Sequence, residues 1–387
     1  MRTRTVAASV ALAAALLLPS TGATALEDEE AKVLGADSAA LSDARLIARA
    51  HGWELEPTVR HLQESRRFAA LAADLAEEHP KAYAGARFAD APGTASVLRF
   101  VGAPPPDASL LVERAGLRAK LVGGARFSEV ELQERSKAVH RHLLESGFKQ
   151  VATATTTDDG VVATVYGDAE VKLPAELGGG VQVTRSREPV ARDEHTLGGA
   201  PLLDGGTFNC TSGFTVRAGD GTTGVATAGH CTGLDQYQQP TDGLVYGMTH
   251  QAEHNGLFGD YEWKTTPHVE PAEFFATATQ VREVNSVSTL LPVNTPSCVY
   301  GRSSNLRACD EVYSNFVIAT VNGRTNWFLM AMDNDNTIPG DSGGPWSFAT
   351  IADGIHKGDI TLGGGRRNMW SRADLLPIAL GVSVQTQ

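Results

Sequence analysis

Three short stretches carry a histidine, an aspartate and a serine in that order: "TAGHC" with His230, "FGDYEW" with Asp260 and "PGDSGGPW" with Ser342. A serine hydroxyl is a poor nucleophile at neutral pH and needs a base to take its proton. Imidazole titrates near working pH, so His230 suits that role. The imidazole must be held in one tautomer and its cation stabilised as it forms, which a buried carboxylate such as Asp260 can do. A tetrahedral intermediate also needs donors for its oxyanion. Glycines free backbone N–H groups for that purpose, and in "GDSGG" the N–H groups of Gly340 and Ser342 are the natural pair. Taken singly, each residue has a plainer reading as a turn or surface residue. Together they point to acyl transfer through a covalent intermediate.

Two rival chemistries have weaker support. "GDSGG" also fits the G-x-S-x-G elbow of α/β-hydrolases, whose chain order is Ser, acid, His. Here only His356 follows Ser342, so an esterase of that fold is disfavoured. "HQAEH", residues 250–254, matches a zinc-protease pattern. That chemistry needs both histidines on one helix face. The segment reads instead as a strand running into a solvated turn. No C-x-x-C pair occurs, and no metal or other cofactor is expected.

The elements that must position these residues differ between the two halves of the chain. Residues 26–195 hold "DSAALSDARLIARAHG", "PTVRHLQESRRFAALAADLAEEHP" and "FSEVELQERSKAVHRHLLESG". Apolar residues three and four apart predict amphipathic helices there, the last with a Ser128/Glu131 capping box. "TASVLRFVGA" and "VATATTTDDGVVATVYG" read as strands, the second turning at Asp158-Asp159-Gly160. This half is expected to be an α/β unit. Residues 196–387 are rich in Gly, Thr, Ser and Asn and alternate short strands with turns, which predicts an all-β unit, with a short closing helix in "RADLLPIALG". The joint at "EPVARDEHTLGG" is polar, without periodicity, and open to cleavage.

With these motifs in order, residues 196–387 resemble the secreted bacterial chymotrypsin-like serine proteases of the streptogrisin and α-lytic protease group. The resemblance implies two antiparallel β-barrels with the site between them. It implies peptide-bond hydrolysis with His230 as base, Asp260 as its orienter and Ser342 as nucleophile. It also implies a pro-region that assists folding and is removed, a role that falls to residues 26–195. Three departures stand out. The cysteine the group keeps near Asn336 is absent. The group's Ser-Gly-Gly run, which meets the catalytic aspartate and the extended substrate, reads Lys357-Gly358-Asp359. The arginine that in the group often follows the first cysteine of the second disulfide loop is Val299 here, so Arg302 is the expected substitute partner for Asp341. The specificity pocket is then expected around Asp335, Asn336, Lys357, Gly358 and Asp359, taking Lys or Arg, or else a small apolar side chain. A binding protein on the same fold, catalytically impaired by the Lys357-Gly358-Asp359 wall, is the alternative function.

Bulk properties agree with an exported soluble protein. The formal net charge of -12 over 387 residues disfavours nucleic acid and anionic membranes. Residues 1–25 have a basic start, an apolar run and small residues at Ala23 and Ala25, which predicts a secretory signal peptide. The four cysteines allow three pairings, of which Cys210–Cys231 and Cys298–Cys309 are the sequence-near ones expected in an oxidising compartment. The expected product is an extracellular monomer whose partners are protein or peptide substrates and its own pro-region.

Overall fold

The structure, a computed structural model, describes residues 32–156, 160–167, 171–186, 191–193, 200–240, 243–321 and 323–387. The expectations for residues 1–25, for the turn at Asp158 and Asp159, and for cleavage around 195–197 lie outside the described residues.

Described residues before 157 form four helices, Ala36–His51, Leu55–Glu78, Ala108–Arg114 and Glu129–Glu145. The capping box is present: the Ser128 N–H donates to Glu131 Oε2 at 2.8 Å, and the Glu131 N–H returns to Ser128 Oγ at 3.3 Å. The second helix turns Phe68, Leu71, Ala72 and Leu75 onto the sheet of Tyr83–Arg87, Ser96–Val101 and Ala119–Ala125. Only the middle strand shows clean in–out alternation; its neighbours are rich in Gly and Ala, so their pattern is weak.

From residue 200 onward the chain is mostly β. Thr249–Gly256, Gly259–Thr265, Thr223–Thr227, Thr215–Ala218 and Val382–Val384 form one antiparallel sheet in that order. Along Gly259–Thr265, Tyr261 and Trp263 enter the apolar core, so Asp260 and Glu262 face the other way. A second sheet orders Pro296–Gly301, Pro345–Phe348, Ile351–Leu362, Gly365–Arg372, Arg324–Met332 and Leu306–Val321. Its first strand also pairs with its last. Leu376–Leu380 is the closing helix, ended by Gly381 at φ 71°.

The two parts of the chain share a sheet and a buried charge cluster. Val151–Thr155 pairs antiparallel with Leu306–Val321, which extends the second sheet through Val161–Tyr166 and Val181–Ser186. His140 bridges this seam, with Nδ1 3.2 Å from Thr153 Oγ1 and Nε2 2.9 Å from Thr320 Oγ1. Asp43, on the first helix, has no exposed surface and sits between two arginines of the later part. Arg282 contacts its two oxygens at 2.8 and 3.0 Å, Arg307 at 2.7 and 2.9 Å, and the Ala349 N–H adds a donor at 2.8 Å. Burial works to raise the Asp43 carboxyl, but Arg307 and Arg282 together hold it below its ordinary value.

Removing one partner of a buried ionic cluster leaves uncompensated charge and costs about 3–5 kcal/mol. Asp43→Ala should therefore lower the urea midpoint of the full chain by that equivalent. Glu56→Ala, which breaks the exposed Arg60–Glu56 pair, should change it little. Equal shifts for the two variants would remove the seam cluster from any special role.

Candidate active site

His230 follows the buried strand Thr223–Thr227, and the next residue, Cys231, is tied by a disulfide to Cys210. Gly229 lets the Asp260 strand come close. A Cβ there would lie 2.7 Å from the Tyr261 carbonyl oxygen and 2.9 Å from Asp260 Oδ1. Asp260 is fully buried, and its N–H donates to Ser371 Oγ at 3.0 Å. Its Oδ2 lies 2.6 Å from His230 Nδ1. On the opposite edge of the ring, His230 Nε2 lies 2.9 Å from Ser342 Oγ. With Nδ1–H donated to the carboxylate, Nε2 carries a lone pair and accepts from the serine hydroxyl. The Lys357 carbonyl, 3.3 Å from Ser342 Oγ, is a second acceptor for the same proton.

The loop that presents Ser342 is pinned by backbone. The Thr211 N–H donates to the Ser342 carbonyl at 2.6 Å, and the Gly343 N–H donates to the His356 carbonyl at 2.8 Å. Gly340 has φ 105° and Gly343 φ 88°, conformations that suit glycine. Asp341, beside the nucleophile, is buried and accepts from the N–H groups of Ile338 and Ser304, each at 3.1 Å. Burial raises its carboxyl, and those two donors offset only part of that effect. The expectation for Arg302 is corrected. It interacts with the Tyr300 hydroxyl, while backbone donors satisfy Asp341. Gly301 is what admits the Asp341 carboxylate, since a Cβ there would fall 2.0 Å from Asp341 Cγ.

Lys357 does not extend its side chain along a pocket wall. It is 1% exposed, and its Nζ lies 2.8 Å from Asp260 Oδ2, the oxygen that also meets His230. Burial works to raise the Asp260 carboxyl. Lys357 and then His230 outweigh it and hold the group far below the ordinary carboxylate range. Asp260 Oδ1 is buried, with no hydrogen-bond partner among the described residues.

Asp335, Asn336 and Asp359 lie along one polar chain. Arg366 forms an ion pair with Asp359 and approaches Asp335 Oδ2 at 3.3 Å. Asn368 donates to Asp335 Oδ1 at 3.0 Å and to Thr337 Oγ1 at 2.6 Å, and its own oxygen accepts from the Asn336 N–H at 2.9 Å. The two acids are therefore countered by a guanidinium rather than bare. Sequence reasoning missed Arg366, and it used His356 only in an argument about chain order. His356 is buried, 3.1 Å from Thr337 Oγ1, and its Nδ1 accepts from Trp346 Nε1 at 3.2 Å. The backbone of Gly358, Asp359 and Ile360 pairs antiparallel with Asp193, Arg192 and Ala191.

"HQAEH" lies in strand Thr249–Gly256 rather than in a turn. His250 Nδ1 lies 2.6 Å from Glu262 Oε1, whereas His254 Nε2 accepts from the Phe258 N–H at 3.1 Å. The two rings serve different partners. The second disulfide joins Cys298 to Cys309 across paired strands.

Gly343→Ala would put a methyl 2.2 Å from both the Thr211 carbonyl oxygen and Thr227 Oγ1. Overpacking of this kind costs about 1–3 kcal/mol. Its thermal midpoint should fall well below that of Gly205→Ala, a site at φ 53° where a Cβ meets open space. Matching midpoints would show that the loop yields easily.

No family model matches the chain, and no curated protein matches it. Solved structures similar to it include a glutamic acid-specific serine protease with a histidine triad in substrate binding. That structure is 21% identical with TM-score 0.40, over 49% of this chain and 99% of that one. The Nocardiopsis protease is 19% identical with TM-score 0.40, over 49% of this chain and 98% of that one. Cellulomonas bogoriensis chymotrypsin is 22% identical with TM-score 0.39, over 50% of this chain and 99% of that one.

Proposed function

We propose that the chain is a secreted serine endopeptidase made as a precursor, with residues 1–25 as leader, 26–195 as pro-region and 196–387 as a two-barrel protease domain. The observation that carries the reading is the unbroken relay from Asp260 through His230 to Ser342, at 2.6 and 2.9 Å. Ser342 Oγ attacks the scissile carbonyl while His230 Nε2 takes its proton. The tetrahedral oxyanion is held by the N–H groups of Gly340 and Ser342. His230 then gives the proton to the leaving amine, which departs as the C–N bond breaks. Water, deprotonated by His230, hydrolyses the remaining ester and restores Ser342. Asp260 stays ionised throughout and stabilises the imidazolium.

Other features support the rest of the proposal. Extended peptides bind by adding a strand to an exposed sheet edge. Here Ala191–Asp193 occupies the Gly358–Ile360 edge, a few residues before the glycine pair Gly198-Gly199, which is the behaviour of a pro-segment lying where substrate would lie. Two disulfides suit an oxidising compartment, and among the described residues no helix is long and apolar enough to cross a membrane. The Lys357 contact with Asp260 favours the impaired binding-protein reading as the alternative, because it counters the charge that His230 relies on.

Intact-mass analysis with a fluorophosphonate probe separates the two readings. The wild-type chain should be cut near 195–197 and carry one phosphonyl group on Ser342. Ser342→Ala should remain full length and unlabelled, a loss of about 10⁴-fold or more in reactivity. A wild-type chain that takes up no probe would sink the protease reading. Normal cutting of Ser342→Ala would assign maturation to another enzyme.

A further inference from the structure

Lys357 sits where the pairing of two strands slips. Ile351–Leu362 runs antiparallel to Gly365–Arg372 with His356 opposite Trp370 and Gly358 opposite Met369. Lys357 is the extra residue between those pairs, and Gly358 follows at φ 152°. A bulge of this kind re-aims one side chain. Here it sends a four-carbon stem inward, so that the ammonium ends 2.8 Å from Asp260 Oδ2 with 1% of the side chain exposed. His230 Nδ1 reaches the same oxygen at 2.6 Å.

We propose that Lys357 is a positioning residue that shares the Asp260 carboxylate with His230, orients the imidazole toward Ser342 and shifts the working range of the site toward acid. The inference rests on the hydrolase reading for its catalytic consequence, and on geometry alone for the coupling itself. Two donors on one oxygen fix the direction in which the carboxylate faces, and among the described residues the other oxygen has no partner to turn toward. The ammonium also makes the Lys357–Asp260 pair neutral. A proton arriving on His230 then gains less from Asp260 than it would from a lone carboxylate, and it meets a cation beyond it. The imidazole therefore stays unprotonated, and able to act as base, to lower pH.

Charged and titratable groups on the surrounding elements do not replace this effect. His254, from strand Thr249–Gly256, is coupled to Asp260 and would add positive charge only at low pH. Tyr261, next along the Asp260 strand, gives its hydroxyl proton to the Arg372 carbonyl at 2.6 Å. Arg372 and Asp374 neutralise each other, with Nε 3.0 Å from Oδ1. Among the described residues, Lys357 is left as the group that sets the charge at the Asp260 end of the relay.

The test uses the full chain in four forms: wild type, Lys357→Met, Lys357→Gln and Lys357→Arg. Gln keeps a neutral donor and provides a second neutral variant should Met impair folding. Histidines carrying ¹³C at Cε1 are followed by NMR against pH, with His230→Gln assigning the resonance. Fluorophosphonate labelling of Ser342 is timed over the same pH range. In Met and Gln the His230 titration, and with it the acid limb of labelling, should move up by about one pH unit or more. Arg should keep the wild-type midpoint. An unchanged His230 midpoint in both neutral variants would overturn the inference, whatever the labelling rates do. A shifted midpoint with no labelling of any form would uphold the coupling and instead refute the hydrolase reading.

Discussion

A carboxylate with no exposed surface must be compensated from inside the protein, and Asp260 is the one on which the site depends. Its compensation comes from an imidazole on the turn after strand Thr223–Thr227 and an ammonium on strand Ile351–Leu362. This requires Gly229 to give way so that the Asp260 strand can approach, and a bulge at Lys357 to turn an amine inward. The orientation of His230 follows from those two arrangements. The orientation of Ser342 follows from His230 and from a loop held by backbone bonds to Thr211 and His356.

Other buried acids in the chain meet the same constraint differently. Asp341 relies on two backbone N–H groups and has its carboxyl raised. Asp43 takes two guanidinium groups and is lowered. Asp353, also fully buried, takes Arg66 at 2.8 and 3.0 Å and the Ser297 hydroxyl at 2.6 Å. Asp43 and Arg66 both lie on the early helices, so both clusters cross the seam. Parting residues 32–193 from 200–387 would leave Arg282 and Arg307 without Asp43, and Asp353 without Arg66. The shared sheet and these charges make the seam costly to open.

Much of this was legible in the sequence because the relevant signals are local. Helical spacing and the Ser128/Glu131 pair located the helix Glu129–Glu145, and the need of a serine for a base singled out His230 and Asp260. What escaped notice depends on register and long separation. Nothing around position 43 signals arginines 239 and 264 residues away. Period-two reading cannot see a bulge, so the inward turn of Lys357 was invisible. Arg302 looked right for Asp341 by charge, yet two N–H groups whose directions depend on local backbone geometry do that work. Arg366 was hidden for a related reason, since its pairing with Asp335 and Asp359 follows from strand partners rather than neighbours.

The claim that Ser342 is a nucleophile for peptide bonds is tested most directly by digesting a mixed peptide library and reading the products by mass spectrometry. Processed wild-type protein should cut internal peptide bonds with a definable side-chain preference, and Ser342→Ala should leave the library intact. An intact library with both proteins, or equal cutting by both, would contradict it.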